Sequence, residues 1–285
     1  MVADQSDFEL WLRGWDPLPA VTVDSMDPGR AVALAAVMDE PAPASPWLLP
    51  LWHWVYFVDW PTTGALGTDG HPSGGAFIPP IPERTRMFVG GRLELQGGLR
   101  SGVPARRYSS VIRREVKEGT TGTMLFVTVR HEIEQGGRVA LVDEQDLMYR
   151  SGAAVRPYAV AAPTGPLVSD ASWQEPFKAG PVLLFRFSAL TANSHRIHYD
   201  LPYATGVEGY RDLVVHGPLL AVLLADLVAS RAPDRRVASM RYRFLRPVLA
   251  GDQILLAGRP DDRGAELAAL AADGEMSARA SVVYR

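Results

Sequence analysis

The chain has 285 residues, 47% of them hydrophobic, enough for one large domain or two ordinary ones around a real core. Its 29 basic and 32 acidic side chains leave a net charge of -3, so no whole-molecule field draws it to nucleic acid or to an anionic membrane. With no cysteine, it has no disulfide scaffold, no thiolate nucleophile and no cysteine-ligated zinc or iron–sulfur centre.

The opening MVADQSDFEL lacks the basic start and apolar run of a signal peptide, and no uncharged apolar stretch reaches the ~18 residues that span a bilayer. The expectation is a cytoplasmic protein with no membrane partner. Segment 1–45 reads as helical in part, one element beginning with Phe8, Leu10, Trp11 and Leu12 and another running from Arg30 to Met38 after an Asp27-Pro28-Gly29 turn. The apolar run Trp47 to Trp60, entered through Ser45-Pro46, predicts a first buried helix. Residues 61–83 hold too many Gly and Pro for a regular element, and such loops often wall a site. From Arg86 to Arg150 the residues alternate with period two, broken by Gly-containing turns, as in an antiparallel meander.

Segment 151–180, rich in Ala, Pro, Gly and Ser, reads as a linker between a first half, 1–150, and a second, 181–285. The second half begins with a strand predicted at Val182–Phe187 and a polar stretch around His195. An apolar helix from about Pro218 to Ser230 follows, then strands at Ser239–Arg246, Gln253–Gly258, Ala265–Ala271 and Met276–Tyr284. A helix followed by a long antiparallel meander, present twice, is what a duplicated hotdog fold of the α+β class produces, each sheet wrapping a central helix and the sheets joining edge to edge.

The stretch 185–200, FRFSALTANSHRIHYD, places Thr191, Asn193, His195, Arg196, His198 and Asp200 within ten residues, a polar density that packing does not account for. A second segment, VVHGPLL, enters the apolar helix. There Gly217 admits a ligand close to the backbone, Pro218 suits the first turn, and the free N–H groups at the positive helix end form an oxyanion hole for a polarised thioester carbonyl.

These segments resemble the hydratase motif of the MaoC-like, R-specific enoyl-CoA hydratases, Thr/Ser-Gly-Asp-x-Asn-Pro-aliphatic-His, with Thr191 to His198 in its positions and His216-Gly217 in those of the family's His-Gly. The longer pattern is closer to the mesaconyl-C4-CoA hydratases and FAS1-type dehydratase-domain relatives, which LPLWHWVYF, DGHPSGGAFIPPIP and RTRMFVGGRLEL in the first half also resemble. The resemblance implies an acyl-CoA thioester as substrate, with coenzyme A part of that substrate and no separate cofactor, and a homodimer. The family's catalytic aspartate is Asn193 here, and its Asn-Pro pair is His195-Arg196. An amide is no base at neutral pH, so the resemblance implies that Asn193 positions a water while His198, with an ordinary pKa of about 6.5, takes and returns its proton.

Other residues leave alternatives open. His195 lines the pocket or caps the loop, and Arg196 either grips a substrate carboxylate or pairs with Asp200. Tyr203, His216 and Pro218 are expected at the substrate. The HxxH spacing of His195 and His198 comes with a lone Asp200 and no HExxH pattern, so no metal is expected. The first half shows no TxNxxxxH pattern and is expected only to shape the acyl tunnel. A hotdog thioesterase commonly relies on an Asp or Glu at the apolar helix or an adjacent strand, and the helix offers only Asp226, while the Asn at 193 also suits a non-catalytic acyl-CoA-binding module.

Overall fold

The computed structural model of the chain describes residues 3–119, 122–152, 167 and 169–285. Its strands are β1 (Ala20–Asp24), β2 (Arg84–Leu95), β3 (Ala105–Gly119), β4 (Gly122–Gln135), β5 (Arg138–Ser151), β6 (Trp173–Lys178), β7 (Val237–Phe244), β8 (Gln253–Pro260), β9 (Gly264–Ala271) and β10 (Met276–Tyr284). They form one sheet in the order β1-β3-β4-β5-β2-β7-β10-β9-β8-β6, and every pairing is antiparallel. The helices are α1 (Gln5–Trp11), α2 (Pro28–Val37), α3 (Pro181–Leu190), α4 (Leu201–Gly206) and α5 (Gly217–Arg231).

Each half of the chain builds one half of the sheet. The predicted meanders fall on β2 to β5 and β7 to β10, and local chemistry sets their turns: Gly136 and Gly137, both with positive φ, form the two-residue loop between Gln135 and Arg138 that fits the twist of a hairpin. The halves meet where β2 pairs β7, from Gly90 against Arg243 to Glu94 against Ser239. A Cβ at Gly90 would stand 2.5 Å from the Tyr242 carbonyl oxygen, so the seam requires glycine there.

Inside the second half-sheet lies α5. It is apolar on all sides, and every residue from Leu219 to Ala225 is buried, as expected of a helix wrapped by a sheet. Among the described residues no helix is long and apolar enough to cross a membrane.

Three expectations change. The run Trp47 to Trp60 is not an α-helix, because Leu51 and Phe57 take left-handed φ values of 68° and 53°, leaving only the 3-10 turn Trp52–Val55. Polar anchors hold that turn: Trp52 Nε1 donates to Asp226 at 2.8 Å and Trp54 Nε1 to Asp143 at 2.8 Å. The first half-sheet thus closes over a short aromatic turn, and the duplication is one of strands.

The strand predicted at Val182–Phe187 is helix α3. Leu184, Phe187 and Ser188 are buried while Val182 and Phe185 face outward, a spacing of three and four that belongs to a helix, with Pro181 in its first turn. Finally, the expected linker 151–180 contains β6, which pairs β8 at the edge of the second half-sheet. Residues 153–166 and 168 of that segment lie outside the described residues.

Candidate active site

The polar stretch folds as a sequence of short turns after α3. Ala192, with φ 52°, ends that helix, and the Asn193 N–H donates back to the Ser188 carbonyl at 2.9 Å. The side-chain Oδ1 of Asn193 accepts from the His195 N–H at 3.1 Å. A 3-10 turn, Arg196–His198, follows, and Asp200 caps α4 by accepting from the Tyr203 N–H at 3.2 Å.

His198 is buried. Its Nδ1 lies 2.7 Å from the Val214 carbonyl oxygen, an atom that only accepts, so Nδ1 carries the hydrogen and Nε2 the lone pair. No hydrogen bond occupies that Nε2 among the described residues. On one face it stacks on His216, with ring centroids 3.7 Å apart and planes 19° from parallel. His216 has no exposed surface and its Nε2 lies 2.8 Å from the Ser188 hydroxyl, so it backs His198 and does not meet a ligand as expected.

His195 stands edge-on to His198 at 5.5 Å, and its other side meets His71 at 4.1 Å. His71 comes from the glycine-rich loop of the first half, with its Nδ1 2.9 Å from Asp69 Oδ2 and its backbone N–H donating to Asp69 Oδ1 at 2.9 Å.

That loop is docked on the polar stretch. Ser194 Oγ donates to the Gly70 carbonyl at 2.5 Å, and the Arg196 N–H to the Asp69 carbonyl at 2.9 Å. A Cβ at Gly70, whose φ is 88°, would fall 1.9 Å from the Ser194 carbonyl oxygen, so this approach is open only to glycine. The first half, expected only to shape a tunnel, brings an imidazole and a carboxylate to the site. Sequence reasoning missed both, although the Asp-x-His spacing beside glycines in DGHP was a signal.

Burial controls the charges. It pushes His198 down to about 4 against the support of the Val214 carbonyl, and with the neighbouring His71 it pushes His195 down to about 2. Burial also holds His216 well below the usual imidazole range. Burial alone would raise Asp69, but the bonds from His71 outweigh it and hold the carboxylate at about 2. His71 is likewise lowered by burial, with Asp69 opposing. At neutral pH the cluster is therefore four neutral imidazoles and one ionised carboxylate. The donor atoms of Asp69, His71 and His195 all lie within 4.8 Å of one another, but the guanidinium groups of Arg84 and Arg86 repel positive charge there, which disfavours a divalent ion.

The remaining expected residues divide. Arg196 directs Nε and Nη2 to Asp200 Oδ2, at 2.9 and 2.7 Å, and Nη1 to the Thr68 carbonyl at 2.9 Å, and it lies over the Tyr203 ring at 4.2 Å. The alternative of an Asp200 pair is the one realised, and Tyr203 supports it from below. Gly217 opens α5, behind His216 at the N-cap and ahead of Pro218, with no side-chain cap bond. A Cβ there would lie 2.8 Å from the Phe244 ring, so the close approach that requires glycine is made by Phe244. Asp226 accepts from Trp52, and burial raises it to about 7, which suits a packed acid more than an ionised thioesterase carboxylate.

Comparisons with known proteins fit this geometry. Residues 51–250 match the family model of hydroxyacyl-thioester dehydratase type 2. Over 260 residues the chain is 43% identical to the mesaconyl-C(4)-CoA hydratase of Chloroflexus aurantiacus, covering 89% of this chain and 90% of that one. Over 68 residues it is 38% identical to the mitochondrial hydroxyacyl-thioester dehydratase type 2 of Schizosaccharomyces pombe, 24% of this chain and 23% of that one.

Among solved structures it is similar to a MaoC-like dehydratase from Phytophthora capsici, with TM-score 0.69 and 15% identity over 94% of this chain and 95% of that one. It is also similar to a Mycobacterium tuberculosis protein described as a double hotdog, with TM-score 0.58 and 13% identity over 95% and 96%. At such identities these two speak for the fold alone. The chain belongs to the hydroxyacyl-thioester dehydratase type 2 family, as a hydro-lyase on a double hotdog fold.

Proposed function

We propose that the protein adds water to, or removes it from, the double bond of a short, branched or dicarboxylic enoyl-CoA such as mesaconyl-C4-CoA. The name and extent of the Chloroflexus relative support that substrate class. In this reading a water sits between His198 Nε2 and the Asn193 side chain. As its oxygen bonds to the β-carbon, general acid–base chemistry centred on His198 takes its proton, and the π pair moves to the thioester oxygen, facing the N–H groups of the first turn of α5 at Gly217. The proton then returns to the α-carbon as the enolate collapses. No cofactor beyond the coenzyme A of the substrate is needed.

The observation that carries the reading is the bond from His198 Nδ1 to the Val214 carbonyl, which fixes the tautomer with Nε2 as acceptor. The fork of Arg196 is taken by Asp200, so a distal carboxylate of the substrate finds its partner elsewhere. Two copies form the working assembly in this reading, and the outward Val182 and Phe185 of α3 offer apolar surface for it. A panel of enoyl-CoAs tests the function: loss of the conjugated thioester absorbance without thiol release supports hydration, thiol release means hydrolysis, and neither means a binding module.

A further inference from the structure

Among the four imidazoles of the site, His71 is the one backed by a carboxylate. His198 gives its Nδ1 hydrogen to a neutral carbonyl, His216 pairs with a hydroxyl, and His195 packs against rings with Asp69 within 4.8 Å but no hydrogen bond to it. A base that takes a proton becomes a cation, and a cation in a buried cluster is stabilised most by an ionised partner in hydrogen-bond contact. Asp69 is that partner. Both of its oxygens are committed to His71, one to the ring and one to the backbone N–H, so the ring orientation is fixed as well as its charge.

With Nδ1 held by Asp69, the Nε2 of His71 carries the lone pair and has no hydrogen-bond partner among the described residues. Both side chains keep partial exposure at the mouth of the cluster, while His198 and His216 form its buried end. The other charged groups nearby are accounted for. Asp200 is bound to Arg196, Glu208 accepts from Tyr203 and is raised by burial, and Arg84 and Arg86 oppose protonation of His71.

We propose that His71 is a second acid–base residue of this site, with Asp69 its positioning residue, and that the pair is delivered across the double fold by the first half of the chain. The inference rests on the hydration reading and refines where the proton goes. The water of that reading, its oxygen held by the Asn193 amide N–H, offers one hydrogen to His198 Nε2 and the other to His71 Nε2. As the water oxygen bonds to the β-carbon, the hydrogen facing His71 leaves as a proton, giving an imidazolium paired with Asp69, while His198 retains its hold on the other. The π pair moves onto the thioester oxygen, and when it returns, the His71 proton goes to the α-carbon, leaving both imidazoles neutral.

The test uses the full chain with mesaconyl-C4-CoA and crotonyl-CoA, comparing His71→Gln, Asp69→Asn and Asp69→Glu for kcat, KM, the pH dependence of kcat/KM and thermal unfolding. His71→Gln is expected to lose about 10²-fold or more in kcat with KM little changed. Asp69→Asn should lower kcat about tenfold and move the acid limb of kcat/KM to lower pH, because the imidazolium has lost its counter-charge, while Asp69→Glu recovers most of the rate.

Near-full activity in His71→Gln overturns the proposal, as does a slow Asp69→Asn enzyme whose acid limb has not moved, which would mark a purely structural pair. Loss of activity on prolonged chelation with recovery on added zinc overturns it too, by making Asp69, His71 and His195 metal ligands. An unaltered protein that hydrates no enoyl-CoA instead refutes the hydratase reading, a result distinct from all of these.

Discussion

The imidazoles of His198 and His216 lie face to face, 3.7 Å between centroids, with His216 tied in turn to Ser188. This stack sets the ring plane of His198 while Val214 sets its tautomer, so in the proposed reading His198 acts on the water and His216 holds it in place. His198→Ala is expected to cost ~10²–10⁴-fold in hydration rate with the fold intact. His216→Ala should slow the enzyme and also destabilise it, by about 1–3 kcal/mol, since it leaves the Ser188 hydroxyl buried without a partner. Rate assays paired with urea unfolding of both variants separate the two roles.

Asn193 uses its side-chain oxygen on the His195 N–H, so it shapes the loop. Asn193→Asp keeps that acceptor and should remain active, whereas Asn193→Ala loses the acceptor and the amide together and should be much slower. Equal kcat/KM for Asn, Asp and Ala at this position would show that the side chain does not hold the water.

Arg196 ties three things together: Asp200, the Thr68 carbonyl in the glycine-rich loop, and the Tyr203 ring. Arg196→Lys keeps the charge but loses the fork, so the docking of the loop weakens. The expected result is a similar fall in kcat/KM for mesaconyl-C4-CoA and crotonyl-CoA. A selective fall for the dicarboxylic substrate would instead make Arg196 its carboxylate partner.

Acid should unfold the protein through its histidines. An unfolded histidine titrates near about 6.5, whereas burial holds His198 at about 4 and His195 at about 2 in the native state. Folded pKa values below unfolded ones mean that the unfolded chain binds more protons in this window. The stabilisation is complete above the unfolded value and is lost as pH falls toward the folded ones. Unfolding midpoints in urea are expected to change little from about pH 8 to 7 and to drop from about pH 6 to 5. A flat profile down to pH 5 would contradict the buried, neutral cluster.

Much of this was legible in the sequence. Period-two alternation located eight of the ten strands among the described residues, and the crowding of Asn193, His195 and His198 marked the loop that carries the candidate site. What failed did so for physical reasons. The segment Val182–Phe187 is short and apolar but for Arg186, so a period of two and one of three to four could not be told apart until burial separated Leu184 and Phe187 from Phe185. The aromatic run near Trp52 looked helical because the left-handed turns at Leu51 and Phe57 carry no glycine to announce them. Asp69 and His71 lie more than a hundred residues before His195, and the docking of their loop on Ser194 and Arg196 brings them together.

In the proposed function, water adds to the acyl chain while the thioester survives. Turnover of mesaconyl-C4-CoA in heavy-oxygen water, followed by mass spectrometry of the intact product and of its fragments, tests this most directly. The expected result is one heavy oxygen in a hydroxyl on the β-carbon of a product that still carries coenzyme A, and no such product from His198→Ala. Heavy oxygen in a free carboxylate alongside released coenzyme A would contradict it.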